Sequence, residues 1–315
     1  MKKITPIRRG TINSKYHAVS FEAYGNPKGI PWMFCHGGPG FFCTPDNLKY
    51  FDLKKHFVIL FDQRGSGKSQ PSSQLKDNTT FHLVEDMTSI LNYFKLDKIN
   101  LMGGSWGSTL ALVYAIKNPA RVSSLVVRGI FLGRKKDVWD IYKPSKKWSK
   151  NQKEKFDLTL GVLIKKFKIK NILSDGLKIL KKKNNSKKDQ EKALEFAKLW
   201  AAYEDLICQE GWKILDFDQE YLKMAQDISM IEIHYFNNDC FLPKNYILKN
   251  LYLIDHIKTT IIQGSRDMVC PKSQAEALHR GLSKSKLVLD PVGGHSSSAF
   301  MKKEMKKAVA QVKKP

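Results

Sequence analysis

The sequence predicts an α/β fold in which helices cover both faces of a mostly parallel β-sheet. Short apolar runs such as 30–35 and 57–61 alternate with amphipathic stretches of helical period. Strands that are buried on both faces form continuous apolar runs of this kind, and they are typical of parallel sheets. The alternation stops after Phe131 and resumes with the run at 259–263, so the sheet is expected to contain an insertion.

The elements of the sheet domain can be assigned in order. Residues 15–24 alternate between apolar and polar side chains, which predicts an antiparallel strand, and the Gly- and Pro-containing turn at 25–29 ends it. Thr80 precedes an amphipathic helix and can cap its first turn. Buried strands are predicted at 30–35 and 57–61, and further strands at 99–102, 122–128, 259–263 and 286–289. Further helices are predicted from Gly107 to Asn118 and at 273–279 and 300–312.

Residues 133–247 contain no apolar run of strand type and predict several helices with lysines on their exposed faces. Lysines dominate 181–188, which are predicted to form a charged loop between two of the helices. We therefore expect one α/β domain, formed by 1–132 and 248–315, and a helical cap inserted at 133–247.

The composition is strongly basic, with a formal net charge of +24 over 315 residues. Such an excess can indicate nucleic acid or an anionic membrane surface as a partner. Here it consists of 46 Lys and only 8 Arg, whereas sequence-specific readout of bases favours arginine. We expect a solvated basic surface with weak, nonspecific binding of polyanions and no specific nucleic-acid partner.

The sequence also indicates a cellular location. No stretch approaches the roughly 18 consecutive apolar residues of a membrane span, and no apolar run follows the basic start of the chain. The five cysteines are scattered and never spaced as Cys-x-x-Cys, so neither a disulfide framework nor a zinc site is expected. A reducing, cytoplasmic location fits these features best, while the oligomeric state does not follow from the sequence.

The segment 99–110 contains the first catalytic signal. Gly103, Ser105 and Gly107 fit the pattern Gly-x-Ser-x-Gly between a predicted strand and a predicted helix. In a nucleophile elbow of this kind the serine hydroxyl projects above the sheet, and the glycines allow strand and helix to cross closely. The pattern alone is common by chance, so Ser105 needs partners elsewhere in the chain.

A second signal follows the strand at 30–35, which ends in His36-Gly37-Gly38. Glycine lets backbone N–H groups approach a substrate oxygen without obstruction by a side chain. We therefore predict an oxyanion hole formed by the N–H groups of Gly38 and Trp106.

Two further residues complete the predicted site. Asp267 comes just after the strand at 259–263, and His295 follows the last strand. The order Ser, Asp, His at the carboxyl ends of strands is the one found in the α/β-hydrolase fold. His295 would take the proton of Ser105, and Asp267 would orient the imidazole and stabilise its charged form.

Other candidates fit less well. Five rivals for the acid and the base lie at less suitable positions: Asp255, Asp290, His36, His256 and His279. The loop at 62–69 ends in Gly-Lys-Ser but lacks the spacing of a phosphate loop, so nucleotide binding is not expected. Epoxide hydrolases and dehalogenases need a carboxylate where Ser105 stands.

The motifs together resemble the proline iminopeptidase (prolyl aminopeptidase) family of serine peptidases. Gly-Gly-Ser-Trp-Gly at 103–107 combined with His-Gly-Gly-Pro-Gly at 36–40 is specific for this family among α/β hydrolases. The resemblance runs through the catalytic domain and weakens between about 134 and 199. Further matching stretches lie at 50–52, 58–67, 78–80, 128–131, 232–236, 268–271 and 294–296.

This resemblance implies a serine exopeptidase that releases N-terminal proline from small peptides without a metal or cofactor. The family's triad falls on Ser105, Asp267 and His295. Its acidic pair, which holds the free amino end of the substrate, falls on Glu204 and Glu232. Apolar walls for the proline ring would come from Phe131 and Phe236, with Tyr142 or Trp139 as weaker candidates.

Two alternatives remain. The chain could be another serine hydrolase on the same fold, an esterase or lactonase, in which the glutamates are unused. It could also be a nonenzymatic polyanion-binding protein, for which the basic cap is the argument.

Overall fold

The computed structural model describes residues 4–146, 148–208 and 219–313. Within these ranges the strands form one eight-stranded sheet, and no helix is long and apolar enough to cross a membrane. The strands are β1 (Arg8–Asn13), β2 (Ala18–Gly25), β3 (Ile30–Cys35), β4 (His56–Phe61), β5 (Ile99–Ser105), β6 (Val122–Ile130), β7 (Lys258–Gly264) and β8 (Ser285–Asp290).

The sheet has the order β1-β2-β4-β3-β5-β6-β7-β8. β1 pairs antiparallel with β2, and β2 pairs antiparallel with β4, whereas every later pairing is parallel. The predicted α/β class with a mostly parallel sheet is confirmed. Because β3, β5, β6, β7 and β8 are parallel, the loops that follow them emerge at one edge of the sheet.

The central strands β3, β4 and β5 are buried on both faces, which accounts for their continuous apolar runs. In β4, for example, Phe57, Ile59 and Phe61 belong to the core on one face, and Val58 and Leu60 belong to the core on the other. Helices α1 (Thr80–Tyr93), α2 (Trp106–Lys117) and α10 (Lys272–Arg280) pack on the first face, and α11 (Ala299–Ala310) packs on the second. Each predicted strand and helix of the sheet domain is found, with ends that differ by a few residues.

The chain between β6 and β7 is helical, and none of its described residues belongs to a strand. Its helices are α3 (Lys135–Tyr142), α4 (Lys150–Asp157), α5 (Leu160–Phe167), α6 (Ile172–Lys181), α7 (Lys187–Cys208), α8 (Gln219–Asn237) and α9 (Tyr246–Lys249). Part of the predicted cap, 209–218, lies outside the described residues. The bounds 133–247 remain a prediction.

Two local features differ from the sequence analysis. The edge strand β1 was not expected, because its residues are mostly exposed and form no apolar run. Thr80 does not cap α1: the preceding Thr79 is the N-cap residue, and the Thr80 hydroxyl instead donates to the carbonyl oxygen of Cys240. That bond ties α1 to the segment after α8, so a tertiary contact replaces the local cap.

Candidate active site

Ser105 lies on a sharp turn between β5 and α2. Its φ of 56° and ψ of −129° form a strained conformation for a residue with a side chain. A Cβ on Gly103 would lie 2.2 Å from the carbonyl oxygen of Gly107, and a Cβ on Gly107 would lie 2.0 Å from that of Cys35. Gly103 therefore lets β5 and α2 cross this closely, and Gly107 lets α2 pack against the end of β3.

The structure brings Ser105, His295 and Asp267 together. His295 follows β8, and its Nε2 lies 3.1 Å from the hydroxyl oxygen of Ser105. Its Nδ1 lies 2.9 Å and 3.1 Å from the two carboxylate oxygens of Asp267, which follows β7. The side chains of His295 and Asp267 are 8% and 1% exposed, so water barely reaches this hydrogen-bonded chain.

The Asp267 carboxylate is held in place from several directions. One oxygen accepts hydrogen bonds from the backbone N–H groups of Val269 and Cys270, at 2.9 and 2.7 Å. The other accepts from the side-chain amide of Gln263, at 3.1 Å. Gln263 lies in β7 and accepts from the Ile130 N–H at the end of β6. The orientation of Asp267 is thus built into the sheet.

The sequence analysis did not identify Arg128, which supports the loop of His295. Its guanidinium donates to the His295 carbonyl oxygen over 2.9 Å. It also packs against the elbow, because a Cβ on Gly104 would lie 2.4 Å from its Nε. Arg128 therefore holds the histidine loop and the elbow at a fixed separation.

The predicted oxyanion-hole residues are adjacent to Ser105. A Cβ on Gly37 would lie 3.7 Å from the Ser105 Cβ, so the loop after β3 runs directly beside the elbow. Gly38 has φ of +105°, and no described residue accepts a hydrogen bond from its N–H. Trp106 is the first residue of α2, where helix N–H groups have no intrahelical acceptor. Both N–H groups remain available to a substrate oxygen.

A cavity of about 380 Å³ opens above these residues. Ser105, His295 and Gly38 line it at the sheet edge, and residues of α7 and α8, two helices of the chain between β6 and β7, line it from above. No lysine is among its described lining residues, although the protein surface is rich in lysine. Its described lining contains three carboxylic acids, from Glu204, Asp205 and Glu232, and one arginine, Arg128, which donates to the His295 carbonyl oxygen.

Glu204 of α7 and Glu232 of α8 both line this cavity. Glu232 accepts a hydrogen bond from the indole N–H of Trp200, at 2.7 Å, and Glu204 accepts one from the Tyr142 hydroxyl. Each acid is therefore held by an aromatic side chain, Glu232 by Trp200 and Glu204 by Tyr142. Trp200 lies on α7, one helical turn before Glu204. Sequence reasoning had not assigned a role to Trp200, although its four-residue spacing from Glu204 was a usable signal.

Burial raises the pKa of both glutamates. It raises the pKa of Glu204 to about 7, against the opposing effect of the Tyr142 hydrogen bond. The pKa of Glu232 is raised well above its ordinary value by burial and by the nearby charge of Glu204. A pair of desolvated acids without a cation indicates a site that is completed by a positively charged ligand.

Aromatic side chains form the apolar part of the cavity. The rings of Phe131 and Phe236 meet edge to face with centroids 6.0 Å apart, and Tyr142 lies 5.5 Å from Phe236. Tyr142 also stacks on Trp200 at 4.6 Å. Trp139, by contrast, is not brought to this cavity; it lines a separate surface cavity that shares only Tyr142 with it.

One cluster in the described chain has ligand atoms close enough for a metal ion, formed by Asp267, Cys270 and His295 within 4.8 Å. Asp267 and His295 already bond to each other. Burial and the nearby charge of Asp267 raise the pKa of the Cys270 thiol, so it stays protonated, whereas metals bind the thiolate. These residues do not fit a metal centre.

The rival acids and bases of the sequence analysis lie elsewhere or have other partners. Asp255 bonds to Ser283, and Asp290 bonds to Ser298. Neither acid lines the cavity, and neither do His256 and His279. His36 does line it, but both of its ring nitrogens are bonded to other groups.

Comparison with known proteins identifies the same fold and related peptidases. Residues 31–300 match the family model of the α/β-hydrolase fold. A "Probable proline iminopeptidase" of Leptolyngbya boryana is 36% identical over 93% of this chain and 90% of its own length. Proline iminopeptidases of Arabidopsis thaliana and Xanthomonas citri are 34% and 33% identical, each over 94% of this chain and over 77% and 93% of their own lengths.

Solved structures share the fold at lower identity. An α/β hydrolase enzyme from a Medee basin deep-sea metagenome library superposes with a TM-score of 0.60 at 18% identity, covering 96% of this chain and 98% of its own. An esterase of Exiguobacterium antarcticum gives 0.57 at 17% identity, covering 93% and 94%. These similarities concern the fold alone.

Proposed function

Because this chain belongs to the proline iminopeptidase family of α/β hydrolases, we propose that it is a serine exopeptidase that releases N-terminal proline from peptides. The reaction would pass through an acyl-enzyme formed on Ser105. The observation that carries this proposal is the placement of Glu204 and Glu232. Glu232 is buried and Glu204 is half-buried, neither has a cationic partner among the described residues, and both face the cavity that holds Ser105 and His295.

Acylation follows from the geometry around Ser105. His295 Nε2 lies 3.1 Å from the Ser105 hydroxyl oxygen, so it can take the hydroxyl proton. The serine oxygen attacks the carbonyl carbon of the proline at the same time. Asp267 holds Nδ1–H and stabilises the imidazolium that forms. The N–H groups of Gly38 and Trp106 bind the developing oxyanion, and a donor of this kind is worth about 10²–10³ in rate.

The second half of the cycle reverses these roles. His295 gives its proton to the leaving amine, and the shortened peptide departs. His295 then takes a proton from water, which attacks the acyl carbon, and returns it to the Ser105 oxygen as the second tetrahedral intermediate collapses to free proline. No metal or cofactor takes part in this proposal.

The glutamates define where the substrate begins. A protonated secondary amine has two N–H donors and one positive charge, and Glu204 and Glu232 can accept both bonds. If another residue preceded the proline, the proline nitrogen would be an uncharged amide without an N–H group. Placing that amide against the two acids is unfavourable. Cleavage is thereby limited to the first residue.

The proline ring would lie against Phe131 and Phe236, with Tyr142 closing the same wall. The rings stand at 72° and 42° to Phe236, so they form a curved apolar surface and not a flat one. Such a surface fits a compact, saturated ring better than an extended side chain.

The domain division and the location are also proposed. Residues 1–132 and 248–315 would form the catalytic domain and 133–247 a cap that carries the glutamates. All five cysteines are free thiols, which supports a reducing cytoplasm as the site of action on small peptides.

An arylamide panel tests the substrate. Prolyl-arylamide should be hydrolysed much faster than the alanyl and leucyl compounds, and N-acetylprolyl-arylamide should not be hydrolysed. An esterase or lactonase, which would leave the glutamates unused, would not discriminate against the acetylated compound.

Labelling by a fluorophosphonate tests whether the chain is a serine enzyme at all. An activated Ser105 reacts and an unactivated serine does not. A nonenzymatic polyanion-binding protein, the remaining alternative, would stay unlabelled.

A further inference from the structure

His36 is a buried histidine next to the catalytic residues, and it has no part in the proton transfers. It follows β3 directly, is 2% exposed and lines the cavity. Its Nε2 lies 2.9 Å from the backbone nitrogen of Gln63, and its Nδ1 lies 2.9 Å from the carbonyl oxygen of Gly37. Both ring nitrogens therefore have a partner in the protein.

These partners determine the protonation state of the ring. The Gln63 N–H can only donate, so Nε2 must be the unprotonated acceptor. The Gly37 carbonyl oxygen can only accept, so Nδ1 must carry the hydrogen. His36 is thus a neutral imidazole with one defined tautomer. Burial supports this state because it lowers the pKa of His36, although the nearby Asp62 carboxylate acts in the opposite direction.

The bond to Gly37 fixes more than one atom. The carbonyl of Gly37 and the N–H of Gly38 belong to the same planar trans peptide, in which they point in opposite directions. Holding the carbonyl toward the His36 ring therefore directs the Gly38 N–H away from that ring. Gly38 has φ of +105°, so little in its own backbone would restrain the peptide.

We propose that His36, oriented by Gln63, is a positioning residue that sets the oxyanion-binding direction of the Gly38 N–H. This inference rests on the proposed function, in which that N–H binds the oxyanion formed at the proline carbonyl. The neutral ring receives a hydrogen bond from Gln63 on one side and gives one to Gly37 on the other.

Gln63 links the two halves of the oxyanion hole. Its side-chain N–H donates to the His36 carbonyl oxygen at 3.0 Å, and its side-chain oxygen accepts from the indole N–H of Trp106 at 2.8 Å. Gln63 is 2% exposed and Trp106 is fully buried, so water does not replace these bonds. One side chain thereby connects the loop that carries Gly38 with the residue that supplies the other N–H.

The loop that carries Gly38 packs closely against the elbow. A Cβ on Gly107 would lie 2.9 Å from the His36 carbonyl oxygen. The backbone of the loop therefore packs directly on α2, and a rotated 37–38 peptide would change the distance from its N–H to the reacting carbonyl. Errors of about 1 Å at such a position can cost about 10²-fold in rate.

Two substitutions at His36 separate its two hydrogen bonds. In His36→Asn the amide nitrogen is as far from Cβ as Nδ1, so it can still donate to Gly37. In His36→Gln the amide is one bond further out, near the place of Nε2, and the bond to Gly37 is lost. We expect His36→Asn to keep kcat for prolyl-arylamide within about threefold, and His36→Gln to lose about 10²–10³ in kcat with KM nearly unchanged.

A transition-state analogue gives a readout that a loss of fold would not. Pyrrolidine-2-boronic acid forms a tetrahedral adduct with an active serine, so its inhibition constant should rise in His36→Gln by the same factor as kcat falls. The inhibition constant of free proline should not change. Gln63→Met keeps the backbone N–H, removes the side-chain link and should lower kcat about tenfold, which provides a second variant if His36→Gln does not fold.

His56→Gln is the matched control. His56 is also buried and also accepts a backbone N–H, from Asp52 at 3.0 Å, but it does not line the cavity. Its substitution should lower the melting temperature and leave kcat unchanged. Equal kcat in His36→Asn and His36→Gln, or unchanged boronate inhibition in His36→Gln, would overturn the proposal.

The experiment distinguishes failure of this inference from failure of the proposed function. If Ser105→Ala abolishes prolyl-arylamide hydrolysis while His36→Gln keeps full kcat, only the inference fails. If the wild type does not cleave prolyl-arylamide, the proposed function fails. The ratio of His36→Asn to His36→Gln activity is then measured with p-nitrophenyl acetate, whose hydrolysis also forms an oxyanion, and a ratio of one again overturns the inference.

Discussion

His295 Nε2 lies 3.1 Å from the hydroxyl oxygen of Ser105, although the two residues are 190 positions apart in the chain. The first lies in the loop after β8 and the second at the end of β5, so the parallel sheet brings them to one edge. The same edge carries Asp267 and Gly38. The proposed chemistry depends on this arrangement, and its parts can be tested separately.

Asp267→Asn tests the orienting acid. The amide can retain bonds to the backbone N–H groups of Val269 and Cys270, so the fold should survive, but it favours the wrong tautomer of His295. We expect kcat for prolyl-arylamide to fall about 10⁴-fold with little change in KM. A loss smaller than tenfold in a folded variant would show that Asp267 does not orient the base.

Glu204→Gln and Glu232→Gln test recognition of the amino end. Each removes a carboxyl group that can ionise against the substrate ammonium, without changing the size of the side chain, so KM for prolyl-arylamide should rise about 10- to 100-fold while kcat changes less. Glu195→Gln is the control, because Glu195 lies on α7 as Glu204 does but pairs with Lys166 at the surface. Unchanged KM in both cavity variants would favour the esterase or lactonase alternative.

The pH dependence of kcat/KM tests the state of Glu204. Its carboxylate is the form that binds an ammonium group, and burial raises its pKa to about 7, so kcat/KM should fall as the pH drops through about 7. The Tyr142 hydrogen bond lowers the pKa of Glu204. In Tyr142→Phe the acid limb of the profile, where kcat/KM falls as the pH drops, should therefore move to higher pH.

Tyr203→Phe is the control for that shift. Its hydroxyl donates to the Ile141 carbonyl oxygen at 2.5 Å and not to a glutamate, so its acid limb should match the wild type. If the limbs of Tyr142→Phe and the wild type coincide, the Tyr142–Glu204 bond does not control the pH profile.

The buried glutamates should also reduce stability. The pKa of Glu232 is raised in the folded state, so the folded protein keeps a proton that the unfolded chain has lost, and the free energy of unfolding falls as the pH rises above about 4.5. Glu232→Gln should therefore melt about 5 °C higher than the wild type at pH 8, with no advantage at pH 4. A wild type that is the more stable protein at pH 8 would contradict this account.

Much of the fold followed from the sequence because the parallel strands are buried on both faces. A run such as 57–61 has no polar residue to interrupt it, so its position could be read directly. β1 was missed for the opposite reason: Arg8–Asn13 lies at an exposed edge, and no apolar pattern marks it.

That Ser105, Asp267 and His295 come together was predictable because each stands at or just after the end of a strand, and parallel strands bring their carboxyl ends together. The supporting contacts were not. Gln63 and Trp106 are 43 positions apart, and Arg128 and His295 are 167 apart. These pairs depend on how loops pack above the sheet, which local patterns do not encode. Thr80 failed as a cap for the same reason, since its partner Cys240 is 160 positions away.

The central claim is that Ser105 attacks a substrate whose proline amino group is held by the cap. The most direct measurement is the rate of prolyl-arylamide hydrolysis by the wild type and by Ser105→Ala, with folding checked by thermal melting. We predict that the wild type is active and that Ser105→Ala loses about 10⁶-fold in kcat without a change in fold. Hydrolysis at an equal rate by the two proteins would contradict the mechanism.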